Sequence, residues 1–395
     1  MTESGKWFRN FATSNRLCME IARKLETTLS QRLQANKVLV IMGARRVGKT
    51  RLMAAVQKSV PEKSLFLNGD DWETHRWLED QSVANYSRML GDSRFLILDE
   101  AQEIPNIGKK LKLMVDSIDD LKVMISGSSA FDLHNQTGEP LVGRMYSFHL
   151  YPLAQLELSA YENRIETLGN LEERLVYGGY PELWQLGSLE QKAQYLKELV
   201  NGYLLKDILA FEGIKKRDKI LALLQKLAFR SGSEISMEAM GRELQISKNT
   251  VEKYFDLFRK VYILYDLPGF SRNRDNEITK MKKWYFVDNG IRNALIGNFN
   301  KLNMREDAGR LWESYLQSER MKKLAYKQET ASPHFWRTHT QQEIDRIEMQ
   351  GDQSLRAYEY KWGEGEAKQP TEFRKSYPEA TFTTINRQNY LEFIL

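Results

Sequence analysis

"KVLVIMGARRVGKTRLMAAV" (37–56) reads as a strand, a loop and a helix. The apolar run "VLVIM" shows no alternation, as a strand covered on both faces requires. The helix that follows places Leu52, Met53 and Val56 at helical spacing. Between them, Gly43, Gly48, Lys49 and Thr50 fit the spacing G-x-x-x-x-G-K-[ST]. Glycines let the backbone wrap a phosphate chain with its N–H groups inward, and the helix start adds partial positive charge. The run Gly43, Ala44, Arg45, Arg46, Val47, Gly48, Lys49, Thr50 and Arg51 is therefore expected to cradle ATP. Lys49 would neutralise the β- and γ-phosphates, and the Thr50 hydroxyl would ligate Mg²⁺.

Outward from this loop, "RFLILDEAQ" (94–102) supplies a second buried strand. Asp99 ends it, where open α/β sheets place ligand contacts. Asp99 is expected to hold Mg²⁺, and Glu100 to orient the attacking water and accept its proton. A protein that only senses nucleotide has no need of that second acid, so the pair argues for hydrolysis. A third strand, "LKVMISGSSA" (121–130), offers the hydroxyl of Ser126 or Ser128 as a γ-phosphate contact; a serine-rich turn is the competing reading. Arg144, in "VGRMYSFHLYPL" (142–153), would reach a γ-phosphate of its own subunit or a neighbour's, or is a surface arginine.

The chain has 395 residues, 42% of them apolar, enough for two or three ordinary cores. Its single cysteine, Cys18, excludes an intrachain disulfide and fits a reducing cytoplasm. Trp7, Phe8 and Phe11 lie among charges with no continuous apolar run, so no signal peptide is expected. The longest apolar runs are strand-sized, too short to span a bilayer. Net charge is +5, yet residues 213–283 hold sixteen Lys/Arg against nine Asp/Glu. That local excess suggests a phosphate-backbone partner or a solvated helical surface.

This basic stretch reads as helices. "DKILALLQKLAF" (218–229) is followed by "SMEAMGRELQISKNTVEKYFDLFRKVYIL" (236–264), a short helix, a turn at Gln245–Ile246 and a longer helix. Ser236 and Ser247 are natural N-caps. Met240, Leu244, Val251, Tyr254 and Phe255 would pack inside. Lys248, Asn249, Thr250 and Lys253 would lie where a recognition helix meets the major groove, with Arg272 and Arg274 on a wing. A packing module, or a lid over nucleotide, is the alternative.

The last third contains "FWRT" (335–338), "EIDRIEM" (343–349) and "LRAYEYKW" (355–362), three strands of a meander. Alternation places Asp345 with Ile347 and Met349, and Glu359 and Lys361 with Leu355 and Ala357. Charges on such faces are costly unless paired or bound to metal. A divalent ion between Asp345 and Glu359, with Lys361 polarising water and Glu313 of a preceding helix as a further ligand, would resolve that cost. Oxygen ligands suit Mg²⁺ or Mn²⁺. A plain Glu359–Lys361 salt bridge, or a nuclease fold without activity, would also satisfy the pattern.

The ordered series "GARRVGKT", "LILDEAQE", "ISGSSA", "LVGRMYSFHLYPL", "YGGYPE", "KKWYFVDNGIRNALIG", "GRLWESYL" and "QEIDRIE" resembles the prokaryotic AAA-type ATPases that carry a C-terminal DUF4143-like domain of unknown function. The resemblance implies a C-terminal region similar to restriction-endonuclease-like folds, with Glu313, Asp345, Glu359 and Lys361 on the positions expected of that fold. It does not imply a cellular role. The expected architecture is α/β throughout its two catalytic parts. A P-loop AAA-type ATPase domain with helical extension spans 1–212, a winged-helix-like domain 213–280, and a restriction-endonuclease-like α/β domain 281–395. The expected function is ATP hydrolysis by a cytoplasmic homo-oligomer acting on DNA. The alternative is a nucleotide-switched signalling or interaction protein whose nuclease-like domain is an inactive binding platform.

Overall fold

The computed structural model describes residues 20–127, 141–204, 208, 217–271 and 282–395. Cys18, Ser128, Arg272 and Arg274 lie outside the described residues. The chain divides into two compact units, one of residues 22–151 with 260–262, the other of 152–259 with 263–395.

The first unit is a parallel sheet of β1 (Val38–Met42), β2 (Ser64–Asn68), β3 (Phe95–Asp99), β4 (Lys122–Gly127) and β5 (Met145–His149). Their order is β2-β3-β4-β1-β5, and all neighbouring pairs are parallel. Every residue of β1 and β3 is buried, which is why these strands are continuous apolar runs rather than alternating ones. Helix α1 (Lys49–Ser59) buries Leu52, Met53 and Val56. Helix α2 (Ile107–Ser117) sends Leu111 and Met114 into a core with Val38, Val40, Leu96, Leu98 and Val123. Because the strands are parallel and β4 lies between β1 and β3, the C-terminal ends of all three emerge at one edge.

In the second unit, helix α3 (Leu171–Tyr177) packs with a later helix, α7 (Asn289–Ile296). Asn289 donates to the Leu175 carbonyl at 3.2 Å, and Asn293 to that of Val176 at 2.7 Å. Asp288 accepts from the Gly179 amide at 2.7 Å and from Gly290 at 2.8 Å. These bonds join "YGGYPE" to "VDNG" across more than a hundred residues. They attach the helices from 152 onward to the second unit, whereas the sequence pattern alone places them in a helical extension of the first. Between these helices run α4 (Arg217–Phe229), α5 (Met237–Leu244) and α6 (Lys248–Lys260), then an antiparallel hairpin of β6 (Leu264–Pro268) and β7 (Lys282–Phe286). Ser236 caps α5 by accepting from the Ala239 amide, and Ser247 caps the start of α6 by accepting from that of Thr250. Met240, Leu244, Val251, Tyr254 and Phe255 are buried as expected, while Lys248, Asn249 and Lys253 are exposed.

The unit ends with a twenty-residue helix, α8 (Ala308–Lys327), and a sheet of β8 (Ala331–Arg337), β9 (Glu343–Gln350), β10 (Leu355–Tyr360) and β11 (Thr381–Ile385). The order is β11-β10-β9-β8; β8 to β10 form the expected antiparallel meander, and β11 runs parallel to β10. One departure from regular pairing matters. His334 pairs with Ile347 and Trp336 with Ile344, so Asp345 and Arg346 together oppose the single residue Phe335. This is a β-bulge. It puts Ile344 and Ile347, three residues apart, into one apolar core with Trp336, Ala357 and Phe373. Simple alternation assigns Asp345 to the face of Ile347; the bulge breaks that phase. Among the described residues, no helix is long and apolar enough to cross a membrane.

Candidate functional site

At the C-terminal end of β1 the chain turns through Gly43, whose added Cβ would stand 2.2 Å from the Leu150 carbonyl oxygen. Any side chain here would push the loop off its neighbour. Gly48 closes the loop with φ of 97°, a left-handed conformation that glycine adopts without a Cβ penalty. Lys49 opens α1, is buried, and donates to the Gly43 and Ala44 carbonyls at 3.1 and 3.2 Å. Its ammonium also lies 3.8 Å from Glu100. Arg45 is half-buried and Arg46 and Arg51 are exposed, so the three cations border the loop.

The Asp99 carboxylate, on β3, is held from both sides. Thr50 donates to Oδ2 at 2.5 Å, and Ser126 of β4 donates to Oδ1. The next residue, Glu100, has φ of 48°, an uncommon backbone state for a non-glycine residue and one that collects at functional sites. Its amide meets Ser126 Oγ at 3.1 Å and Asp99 Oδ1 at 3.2 Å, which fixes the turn. Its carboxylate accepts from Gln102 at 2.6 Å. Lys49, Thr50, Asp99, Glu100 and Ser126 thus converge on one sheet edge. Thr50 and Asp99 present adjacent hard oxygens, a donor pair that fits Mg²⁺.

Sequence reasoning missed Arg23. Its guanidinium donates to the Val47 carbonyl at 2.6 Å and to that of Tyr151 at 2.6 Å, tying the loop to the chain that follows β5. No local motif announces it, since its partners lie 24 and 128 residues further along the chain. Arg23→Ala should loosen the loop and weaken nucleotide affinity about tenfold, the loss of charge-assisted hydrogen bonds. A fluorescent-nucleotide titration checks this, and an unchanged Kd would show the tie to be irrelevant.

Arg144 stands elsewhere. It precedes β5, whose first residue pairs with Val38 at the start of β1, and it forms an ion pair with Asp116 at 2.6 Å. The loop begins at the other end of the strand, about 15 Å away at the ordinary strand rise. The reading in which Arg144 contacts its own subunit's nucleotide is therefore corrected: a five-residue strand separates them.

The second predicted constellation is brought partly together. Asp345 Oδ2 accepts from the Tyr360 amide at 2.8 Å. Burial raises its pKa well above the usual carboxylate range, and the nearby charges of Glu313 and Glu359 push the same way. Lys361 lies just beyond β10 and pairs with Glu359 at 2.8 Å. The unforeseen member is Lys283 of β7. Its buried ammonium pairs with Glu343 and lies 3.5 Å from Glu313 and 3.9 Å from Asp345. Tyr285 donates to Glu313 at 2.6 Å. Burial alone would lower the Lys283 pKa, but Glu313, Asp345 and Glu343 outweigh it and hold the group charged. Among the described residues, no three His, Cys, Asp or Glu side chains are grouped so as to hold a metal ion. As they stand, Glu313 and Asp345 are engaged by Lys283, and Glu359 by Lys361.

Residues 35–159 match the family described as AAA domain, residues 168–302 a domain of unknown function (DUF8612), and residues 308–390 a domain of unknown function (DUF4143). Together these matches support an AAA-type ATPase family with a C-terminal domain of unknown function. An uncharacterized protein of Methanocaldococcus jannaschii is 25% identical over 318 residues, covering 75% of this chain and 70% of its own length. One of Mycobacterium tuberculosis is 26% identical over 340 residues, 85% of this chain and 73% of its own. Among solved structures, a Signal Transduction ATPase with Numerous Domains from Pyrococcus horikoshii aligns with a TM-score of 0.31 at 13% identity, over 78% of this chain. This chain spans about half, 46%, of that protein's length. A Thermotoga maritima RuvB variant aligns with a TM-score of 0.32 at 14% identity, over 62% of this chain and 88% of its own.

Proposed function

We propose that this chain binds and hydrolyses ATP as an AAA-type ATPase. The observation that carries this is the convergence of Lys49, Thr50, Asp99, Ser126 and Glu100 at one edge of a parallel sheet. The loop amides and the α1 N-terminus would bind the phosphates. The Lys49 ammonium would exchange the Gly43 and Ala44 carbonyls for phosphate oxygens. Thr50 and Asp99 would hold Mg²⁺, which neutralises charge on those oxygens when bound. Glu100 would accept a proton from the attacking water as the new P–O bond forms and the bond to ADP breaks. Phosphate release from ATP tests this. Wild type should turn over and Lys49→Ala should fall to background; an inactive wild type that still binds ATP would leave only a nucleotide switch.

We further infer DNA as a partner. Exposed Lys248, Asn249 and Lys253 begin α6, the last helix of a helix–helix–helix–hairpin order that a winged helix also has. Arg144 would then serve a neighbouring subunit of a homo-oligomer. A specific observation favours the second reading for the C-terminal sheet, an interaction platform without cleavage: Lys283 lies beside Glu313 and Asp345, two of the three carboxylates expected to hold metal. Salt-dependent DNA binding, weakened by the double substitution of Lys248 and Lys253 by Ala, would support the DNA partner. No binding and an ATPase rate indifferent to DNA would support the platform alone.

A further inference from the structure

The carboxylates of the C-terminal sheet are held together by an internal cation. Glu313 comes from α8, Glu343 and Asp345 from β9, and Lys283 from the hairpin strand β7. The Lys283 side chain is 4% exposed and lies within ion-pairing range of all three acids. Its register is secured from two directions: β7 pairs with β6, and Lys283 bridges Glu234. Its ammonium also lies 5.5 Å from the Phe335 ring centre, and Phe335 is the residue opposite the bulge. The bulge frees Asp345 from regular pairing, and its carboxylate takes the Tyr360 amide while its other oxygen faces Lys283.

Two further cations border the cluster. Arg337 bonds Glu234 at 3.2 Å and lies 3.6 Å from Glu343, and Lys361 neutralises Glu359. Five acids, Glu234, Glu313, Glu343, Asp345 and Glu359, thus face three cations, with Lys283 shared among Glu313, Glu343 and Asp345. A divalent ion entering between those three would meet its ammonium. The three acids are half-buried, and carboxylates crowded in this way are costly without a cation among them. Lys283 meets that need without a metal.

We propose that Lys283 is the resident cation of this cluster, in the place a divalent ion would take, and that it sets the site's preference against metal. The lysine is carried by the helix–hairpin segment and the acids by α8 and β9, so the contact also joins those two parts of the unit. This proposal does not depend on ATP hydrolysis.

The test is Mn²⁺ titration of the full chain without nucleotide, followed by electron paramagnetic resonance and thermal shift. Wild type should take up no Mn²⁺ that Asp345→Asn removes. Lys283→Met keeps most of the buried stem and deletes the charge. It should gain one Mn²⁺, bound at least about tenfold more tightly than by wild type, and be stabilised by it. Adding Asp345→Asn to that variant should abolish the gain. Wild type binding Mn²⁺ in a manner lost with Asp345→Asn would overturn the proposal, whether or not the lysine variant folds. So would a folded Lys283→Met protein indifferent to Mn²⁺. Nucleic-acid cleavage by the metal-loaded variant is scored separately: Mn²⁺ uptake without cleavage keeps Lys283 in its role and removes the nuclease reading.

Discussion

Glu100→Gln should bind ATP as wild type does and hydrolyse it about 10²–10⁴-fold more slowly, the usual contribution of a positioned general base. Gln keeps the size and the hydrogen-bonding oxygen that now accepts from Gln102. It removes the negative charge that lies 3.8 Å from Lys49 and the capacity to take a proton from water. The phosphate loop is built from other residues, Gly43, Gly48, Lys49 and Thr50, so the affinity term should survive. The strained turn at Glu100 is held by Ser126 and Asp99 through its backbone amide, which the substitution leaves intact. Single-turnover hydrolysis and nucleotide titration separate the two effects. A variant within twofold of wild-type turnover would sink the assignment of Glu100 as base.

Glu348→Ala should cost about 3–5 kcal/mol of stability, the penalty for breaking a buried ion pair from one side. Glu348 is fully buried and receives Arg320 through two bonds, 2.8 and 2.7 Å, and Arg346 at 2.7 Å. Alanine would leave both guanidiniums buried without their anion. The same group predicts an acid limb. Burial pushes the Glu348 carboxyl up, but hydrogen bonds from Arg320 and the Arg346 charge outweigh it and bring the pKa from 4.5 to about 2. A folded pKa below the unfolded one stabilises the protein above the unfolded value. That stability is lost as pH falls from 4.5 through about 2, to a total of about 3 kcal/mol. Denaturant melts of wild type and Glu348→Gln across this window should converge as pH falls. Parallel curves would mean that Glu348 does not titrate in this way.

The front of the molecule was legible because its chemistry is local. A phosphate loop needs its glycines and its lysine at fixed spacing, and a covered strand needs an unbroken apolar run. Both leave their mark within ten residues. Asp99 and Glu100 were readable for the same reason. The bond from Ser126 to Asp99 was not readable, since it requires knowing that β4 lies beside β3. Arg144 shows the opposite limit. Its nearness to "YSFHLYPL" in the chain said nothing of the end of the strand on which it sits, and parallel pairing with β1 put it at the far one.

The amino-acid order alone determined the strand–loop–helix cradle, the acid pair behind it, the capped helices and the closing meander, because short-range sterics and burial periodicity dictate those features. Only the folded arrangement decided what the late acids face. A single extra residue in β9 shifts the alternation, and a strand some sixty residues earlier delivers Lys283 among them. Charge pairing in such a cluster depends on which distant segment arrives there, and spacing along the chain carries no record of that.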